Sequence, residues 1–279
     1  MLIRCLVACF VLAAVSVSAA PDDDRPVEDA ARFRMARPAN PDLPTLFLVG
    51  DSTVKCGTQG QRGWGEEFGK YLDPAKVNVV NVAIGGRSSR TFITEGRWAA
   101  TLSMMKPGDF VIIQFGHNDG GPINDDSRAR GSIRGTGDET EEIDNLLTKK
   151  HETVRTYGSY LRQYLADARA KGATPYLCTQ VPRKMWEADG SRIGRPTDGT
   201  VAWARAVAAS EQATLLDLHE AVAASYDALG REAVEPFFAD ARTHTSVAGA
   251  DHTARIVIGL LEDLPDSPWK SMVSTAGMR

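Results

Sequence analysis

Short unbroken apolar runs alternate with stretches of helical spacing along most of this chain. Residues 45–49 (Thr-Leu-Phe-Leu-Val) form the first run, of the kind expected for a strand buried on both faces. A short helix is predicted over 64–71, a β-branched strand over 77–82, and the clearest buried strand over 110–115. From 153 to 170 apolar residues recur at helical spacing (Val154, Tyr157, Leu161, Leu165, Ala168), and Gly172 closes the segment as a C-terminal cap. A strand over 174–179 follows, with Pro175 near its start, where a missing N–H is tolerated. A helix over 201–212, a fifth strand over 214–218 and a last helix over 246–262 complete the pattern. Strand-helix alternation of this kind predicts a three-layer α/β/α domain, a five-stranded parallel sheet flanked by helices.

Residues 124–150 break the rhythm. They are polar, charged and Gly-containing, and so long a loop in a compact domain is usually functional or loose. Because the segment directly follows the turn at Asn118, it is expected to lie over the active-site edge as a flap facing substrate.

The N-terminus reads as a secretory signal peptide over 1–19. Arg4 gives a positive start, residues 5–17 an apolar stretch too short to span a bilayer, and Val17-Ser18-Ala19 a small-residue cleavage pattern. Cys9 lies too close to the N-terminus to be a lipoprotein cysteine. Residues 20–43, rich in Pro, Asp, Arg and Ala, read as a poorly ordered linker, and 44–279 as one domain. A secreted or periplasmic monomer is expected. The net charge of -4 is mild and points to neither nucleic acid nor an anionic membrane surface. Cys56 and Cys178 remain after cleavage. Their spacing fits no metal motif, and the sequence leaves open whether they pair.

The chemistry-bearing residues gather at predicted strand ends. Ser52, in Gly50-Asp51-Ser52-Thr53, follows the first strand, where open α/β sheets place their active sites. A nucleophilic serine needs a base and a cradle for the oxyanion of a tetrahedral intermediate. Candidate cradle donors are the Ser52 N–H, the Gly86 N–H and the Asn118 amide, each at the end of a strand. Of five histidines, His151 lies in the polar loop, His219 ends a strand, His252 sits within the last helix and His117 shapes the Asn118 turn. His244, in the loop before that helix, is the candidate base. Asp51 is read as a turn residue.

These blocks resemble, in order, those of the SGNH (GDSL-type) hydrolase superfamily: residues 50–53, Gly85-Gly86-Arg87-Ser88, Gly116-His117-Asn118-Asp119 and Thr243-His244-Thr245. The stretches 85–92, 95–98, 106–110 and 156–162 are similar to the rhamnogalacturonan acetylesterase branch. The resemblance covers most of 46–261 and implies Ser52 as nucleophile, His244 as base, and Ser52, Gly86 and Asn118 as oxyanion hole, with no metal or cofactor. The family usually places an acid three residues before the histidine, where this chain has Ala241. Either Asp240 reaches the imidazole from one residue further back, or a backbone carbonyl orients it.

Arg87, Arg97 and Arg183 are candidates for pairing with uronate carboxylates, and Trp98 and Trp186 for offering faces to sugar rings. An acetylated pectic polysaccharide is the expected substrate. Acetylxylan, short lipid esters or thioesters are the alternatives within enzymes. A sugar-binding module on a dead hydrolase scaffold would be expected to have lost Ser52, Asn118 or His244, and all three are present.

Overall fold

The computed structural model describes residues 33–274. The expected signal peptide, and the first part of the expected linker, lie outside the described residues. Strand β1 (Thr45–Gly50) is followed by α1 (Trp64–Glu67), which passes into a 3-10 turn over Phe68–Tyr71, then by β2 (Asn78–Asn81). Two short helices, α2 (Ser89–Thr94) and α3 (Arg97–Leu102), lead to β3 (Phe110–Gln114). Next come β4 (Thr140–Asp144), β5 (His151–Arg155), α4 (Tyr157–Ala170) and β6 (Thr174–Cys178). The chain ends through α5 (Thr200–Ser210), β7 (Thr214–Leu216), α6 (Leu218–Leu229), α7 (Arg231–Val234), α8 (Val247–Glu262) and α9 (Trp269–Met272).

The central sheet is parallel throughout, in the order β2-β1-β3-β6-β7. Successive residues of a strand face opposite sides, so β1 feeds two cores. Leu46 and Leu48 join Trp64, Phe68 and the apolar stripes of α6 and α8. Phe47 and Val49 join Phe92, Trp98 and the inward faces of α4 and α5. Full burial of each large side chain contributes about 1.5–3 kcal/mol, which is why every residue of β1 can be apolar or small. The chain leaves β1 toward β2 on one side and returns to β3 on the other. The carboxyl ends of β1 and β3 therefore flank the topological switch point, and Ser52 and Asn118 follow those two strands.

The segment predicted as one long loop contains structure. Strand β4 pairs antiparallel with β5, from Thr140 opposite Arg155 to Asp144 opposite His151. The helix expected from 153 instead begins at Tyr157, because Thr156 is its N-cap and accepts the Ser159 N–H at 3.0 Å. The β-branched Thr153 and Val154 before it belong to the hairpin. Arg90, fully buried, clamps this insertion to α2. It donates to the carbonyls of Ile123 (2.8 Å) and Gly131 (2.7 Å), and pairs with both oxygens of Glu152 at 2.7 Å. His219, expected at a strand end, sits in the first turn of α6, where its N–H donates to Thr179 Oγ1 at 2.9 Å.

The later part of the expected linker lies against the domain. Asn40 exchanges hydrogen bonds with the side chain of Asn78 (2.9 and 2.7 Å), and Phe33 lies 4.4 Å under the Arg97 guanidinium. Cys56 and Cys178 are buried thiols. Cys56 Sγ donates to Gln61 Oε1 at 3.2 Å, and Cys178 Sγ faces its neighbour's carbonyl on Thr179.

Candidate active site

Gly50 ends β1 under a tight constraint: a Cβ there would lie 2.5 Å from Val54 Cγ2 and 2.6 Å from Gln114 O. The chain can then turn sharply, and Asp51 holds the turn by accepting the N–H and the hydroxyl of Thr53, both at 2.8 Å. Beneath it a buried chain of polar groups runs across the sheet. Trp64 Nε1 donates to Gln114 Oε1 at 2.8 Å, and Gln114 Nε2 to Thr53 Oγ1 at 2.7 Å. Ser52 thus stands on a turn whose buried neighbours are fixed by side-chain hydrogen bonds.

The structure brings three of the expected site residues into one line. Ser52 Oγ lies 2.9 Å from His244 Nε2, and His244 Nδ1 lies 2.6 Å from Asp240 Oδ2. Asp240 reaches the imidazole across the extra residue because the loop folds around its carboxylate. Its Oδ1 accepts the N–H groups of Arg242 (2.9 Å), Thr243 (2.7 Å) and His244 (3.0 Å). Partial burial opposes the charge. The Thr243 N–H, the His244 ring and the N–H groups of Arg242 and His244 outweigh it and hold the carboxyl at about 2. The loop is also stitched to its surroundings, by exchange between Arg62 and Thr245 and by the Ala239 N–H on His244 O at 2.9 Å. An ionised acceptor at Nδ1 calls for a proton there, which leaves the Nε2 lone pair facing the serine hydroxyl.

Gly85 passes directly beside this line, with Gly86 next in the chain: a Cβ on Gly85 would lie 3.6 Å from Ser52 Cβ. Asn118 is 9% exposed and donates Nδ2 to Arg87 O at 2.8 Å, which leaves its second amide hydrogen for another acceptor. Next to it, Asp119 is buried and accepts from Ser89 N (3.1 Å), Ser89 Oγ (2.5 Å) and Ser132 Oγ (3.0 Å). Burial outweighs these bonds and raises its pKa to about 6.

The other histidines are placed differently. Both ring nitrogens of His117 are shut off from solvent, and burial, helped by the nearby charge of Arg183, pulls its pKa down to about 4. His252 meets Ser225 Oγ at 2.9 Å and stacks on Phe237, and His151 pairs with Asp144 and Glu142 on the hairpin. Among the described residues, no group of three or more His, Cys, Asp and Glu is placed to hold a metal ion. None of their helices is long and apolar enough to cross a membrane.

Four of the five expected sugar-contacting residues are engaged within the protein instead. Trp98 is 2% exposed, packs edge-on to Tyr164 in the core and donates Nε1 to Asp167 at 2.9 Å, so neither ring face is open to a sugar. Arg87 and Arg97 are both buried, and their Nε atoms share the Glu95 carboxylate at 3.0 and 2.8 Å. A guanidinium so engaged cannot meet a uronate at the surface. Trp186 packs against the core, with the Arg231 guanidinium over its ring and Nε1 shut off from solvent. Arg183 is near enough to His117 for its charge to act on that ring, and its own Nε is shut off from solvent. Sequence reasoning missed Arg130, whose Nη1 donates to Gly86 O at 2.9 Å. It also missed Gln114, whose only signal was a polar residue inside an apolar strand.

This geometry can activate a serine hydroxyl. Comparison with known proteins agrees with that chemistry. The model of the GDSL-like lipase/acylhydrolase family matches residues 48–252. The chain is 34% identical over 226 residues to "Probable rhamnogalacturonan acetylesterase YesY" of Bacillus subtilis (strain 168), covering 78% of this chain and 93% of the relative. It is 33% identical over 210 residues to the rhamnogalacturonan acetylesterase of Emericella nidulans, covering 75% and 81%. The crystal structure of Bacillus subtilis YxiM superposes with a TM-score of 0.63 at 26% identity, over 79% of this chain and 56% of that one. The chain belongs to the GDSL-like lipase/acylhydrolase family, on the rhamnogalacturonan acetylesterase-like branch, and is a carboxylic-ester hydrolase.

Proposed function

We propose that this protein is a secreted serine esterase that removes acetyl groups from a pectic polysaccharide of the rhamnogalacturonan type. The observation that carries the chemistry is the Ser52–His244–Asp240 line of hydrogen bonds beside Gly85-Gly86 and Asn118. The similarity to rhamnogalacturonan acetylesterases over three quarters of the chain supports the substrate class. The apolar stretch at 5–17, followed by small residues, supports secretion.

In this reading His244 Nε2 takes the Ser52 proton as Oγ bonds to the acetyl carbonyl carbon. The carbonyl electron pair moves onto oxygen, where the N–H groups of Ser52 and Gly86 and the Asn118 amide hold it. Asp240, ionised throughout, stabilises the imidazolium. Collapse of the intermediate breaks the bond to the sugar oxygen, which leaves with the proton from His244. Water then attacks the acetyl-serine while His244 accepts its proton, and acetate departs as the proton returns to Ser52.

Acetate release from acetylated rhamnogalacturonan tests the reading, measured beside acetylated xylan and an aryl acetate with Ser52→Ala as the blank. Release from the pectic polymer that the variant abolishes is the expected result. Turnover of the aryl acetate or of xylan alone would retain the mechanism and reject the pectic substrate. Equal release by Ser52→Ala would reject the mechanism.

A further inference from the structure

Gly85 and Gly86 have the freest backbone in the site, and Gly86 sits at a φ of +79°. An N–H on such a stretch keeps one direction only if its peptide planes are held. Three side chains hold three consecutive carbonyls here. Arg87 Nη1 donates to Gly85 O at 3.2 Å, Arg130 Nη1 to Gly86 O at 2.9 Å, and Asn118 Nδ2 to Arg87 O at 2.8 Å.

A trans peptide is planar, with its N–H opposed to its C=O. Pinning the Gly85 carbonyl therefore sets the direction of the Gly86 N–H, and pinning the Gly86 carbonyl fixes the peptide on the far side of the same Cα. A carbonyl that accepts from a cation also makes the N–H of its own peptide a stronger donor. Arg87 is itself immobilised by Glu95, which Arg97 shares. Arg130 arrives from the insertion, next to Gly131, whose carbonyl Arg90 holds, and Ser132, whose hydroxyl donates to Asp119. Asp119 adjoins Asn118 in the chain, so the segment carrying Arg130 is tied to the very loop that carries Asn118.

We propose that Arg130 and Arg87 are positioning residues of the oxyanion hole, holding the peptides on both sides of Gly86 so that its N–H stays aimed at the oxygen of the tetrahedral intermediate. The proposal rests on the reading of Gly86 as an oxyanion donor. It gives the inserted segment a part in catalysis, since that segment supplies one of the two clamps.

Arg130 is the residue to change, because removing Arg87 would strip a buried carboxylate of a partner and endanger folding. Arg130→Met, Arg130→Lys and Arg130→Gln would be compared with wild type in three measurements: kcat and KM for an aryl acetate, the rate at which an aryl-substituted fluorophosphonate modifies Ser52 with loss of fluoride, and thermal unfolding. The fluorophosphonate places its own developing oxyanion in the hole without requiring the natural ester. The expected result for Arg130→Met is a fall of about 10- to 100-fold in kcat and in phosphonylation rate together, with KM within about twofold of wild type. Lysine, which keeps the charge and one donor, should recover part of both. A loss confined to KM, or undiminished phosphonylation, would overturn the proposal. If Arg130→Met does not fold, Arg130→Gln against Arg130→Lys provides the same comparison. Rapid phosphonylation of a wild-type protein that cleaves no acetyl ester would reject the acetyl reading and leave this proposal to be decided on phosphonylation alone. No phosphonylation of the wild type would reject both.

Discussion

Asp240 reaches the His244 imidazole with one carboxylate oxygen while the other gathers the N–H groups of the intervening loop. One side chain therefore both shapes the turn and orients the ring. Position 241, where the family usually has its acid, is free to be alanine.

Replacing Asp240 tests that double role. Asp240→Asn keeps an oxygen for the loop but removes the charge that stabilises the imidazolium. It is expected to lower kcat by about 10²- to 10⁴-fold in an aryl acetate assay, with little change in KM. Asp240→Ala should lose as much activity and also lower the melting temperature, because three N–H groups lose their acceptor. Near-wild-type turnover by Asp240→Asn would show that something else orients His244.

Buried Asp119 predicts a pH-dependent stability. Burial raises its pKa from 3.8 to about 6, so the folded protein holds this proton more tightly than the unfolded chain does. The stability it contributes is complete below about pH 4 and is lost as pH rises through about 6, a swing of about 3 kcal/mol. Urea unfolding of wild type and Asp119→Asn at intervals from pH 4 to 7 should show wild type losing ground to the variant across that window. A difference independent of pH would mean that Asp119 does not titrate there.

Gln114 joins Trp64 to Thr53 under the Ser52 turn. Gln114→Leu fits an apolar strand yet leaves the indole N–H without an acceptor, at an expected cost of about 1–3 kcal/mol in chemical denaturation. Because the turn loses a brace, kcat should fall as well. Unchanged kcat alongside lower stability would show that the network serves the fold alone.

Trp98 separates core from substrate roles. Trp98→Ala is expected to destabilise the protein by about 3–5 kcal/mol while leaving KM for polymeric substrate unchanged in the folded fraction. A raised KM without loss of stability would restore it to the substrate surface.

The sheet was legible because its strands are nearly unbroken apolar runs, and a residue buried on both faces leaves that mark in any order of reading. Ser52, Gly86, Asn118 and His244 could be picked out as candidates because each lies in a short loop after a strand or before a helix. The short helices at Ser89–Thr94 and Arg97–Leu102 were not, since six residues are too few to show a helical period. The hairpin at 140–155 was missed because only Ile143 and Val154 of its strands are buried, so polar side chains masked the alternation. Arg87 and Trp98 were misread for a common reason: the sequence shows that a side chain is charged or aromatic, while its burial depends on partners such as Glu95 and Tyr164 that only folding brings close.

The two thiols have a practical consequence. Cys56 and Cys178 are each buried with a hydrogen-bond partner other than sulfur, and burial pushes the Cys178 thiol well above its ordinary range. No covalent bridge between them holds the domain together. Residues 33–274 produced in a reducing bacterial cytoplasm should therefore reach the same active fold as material exported through an oxidising compartment, and neither preparation should take up a thiol-alkylating reagent until it is unfolded.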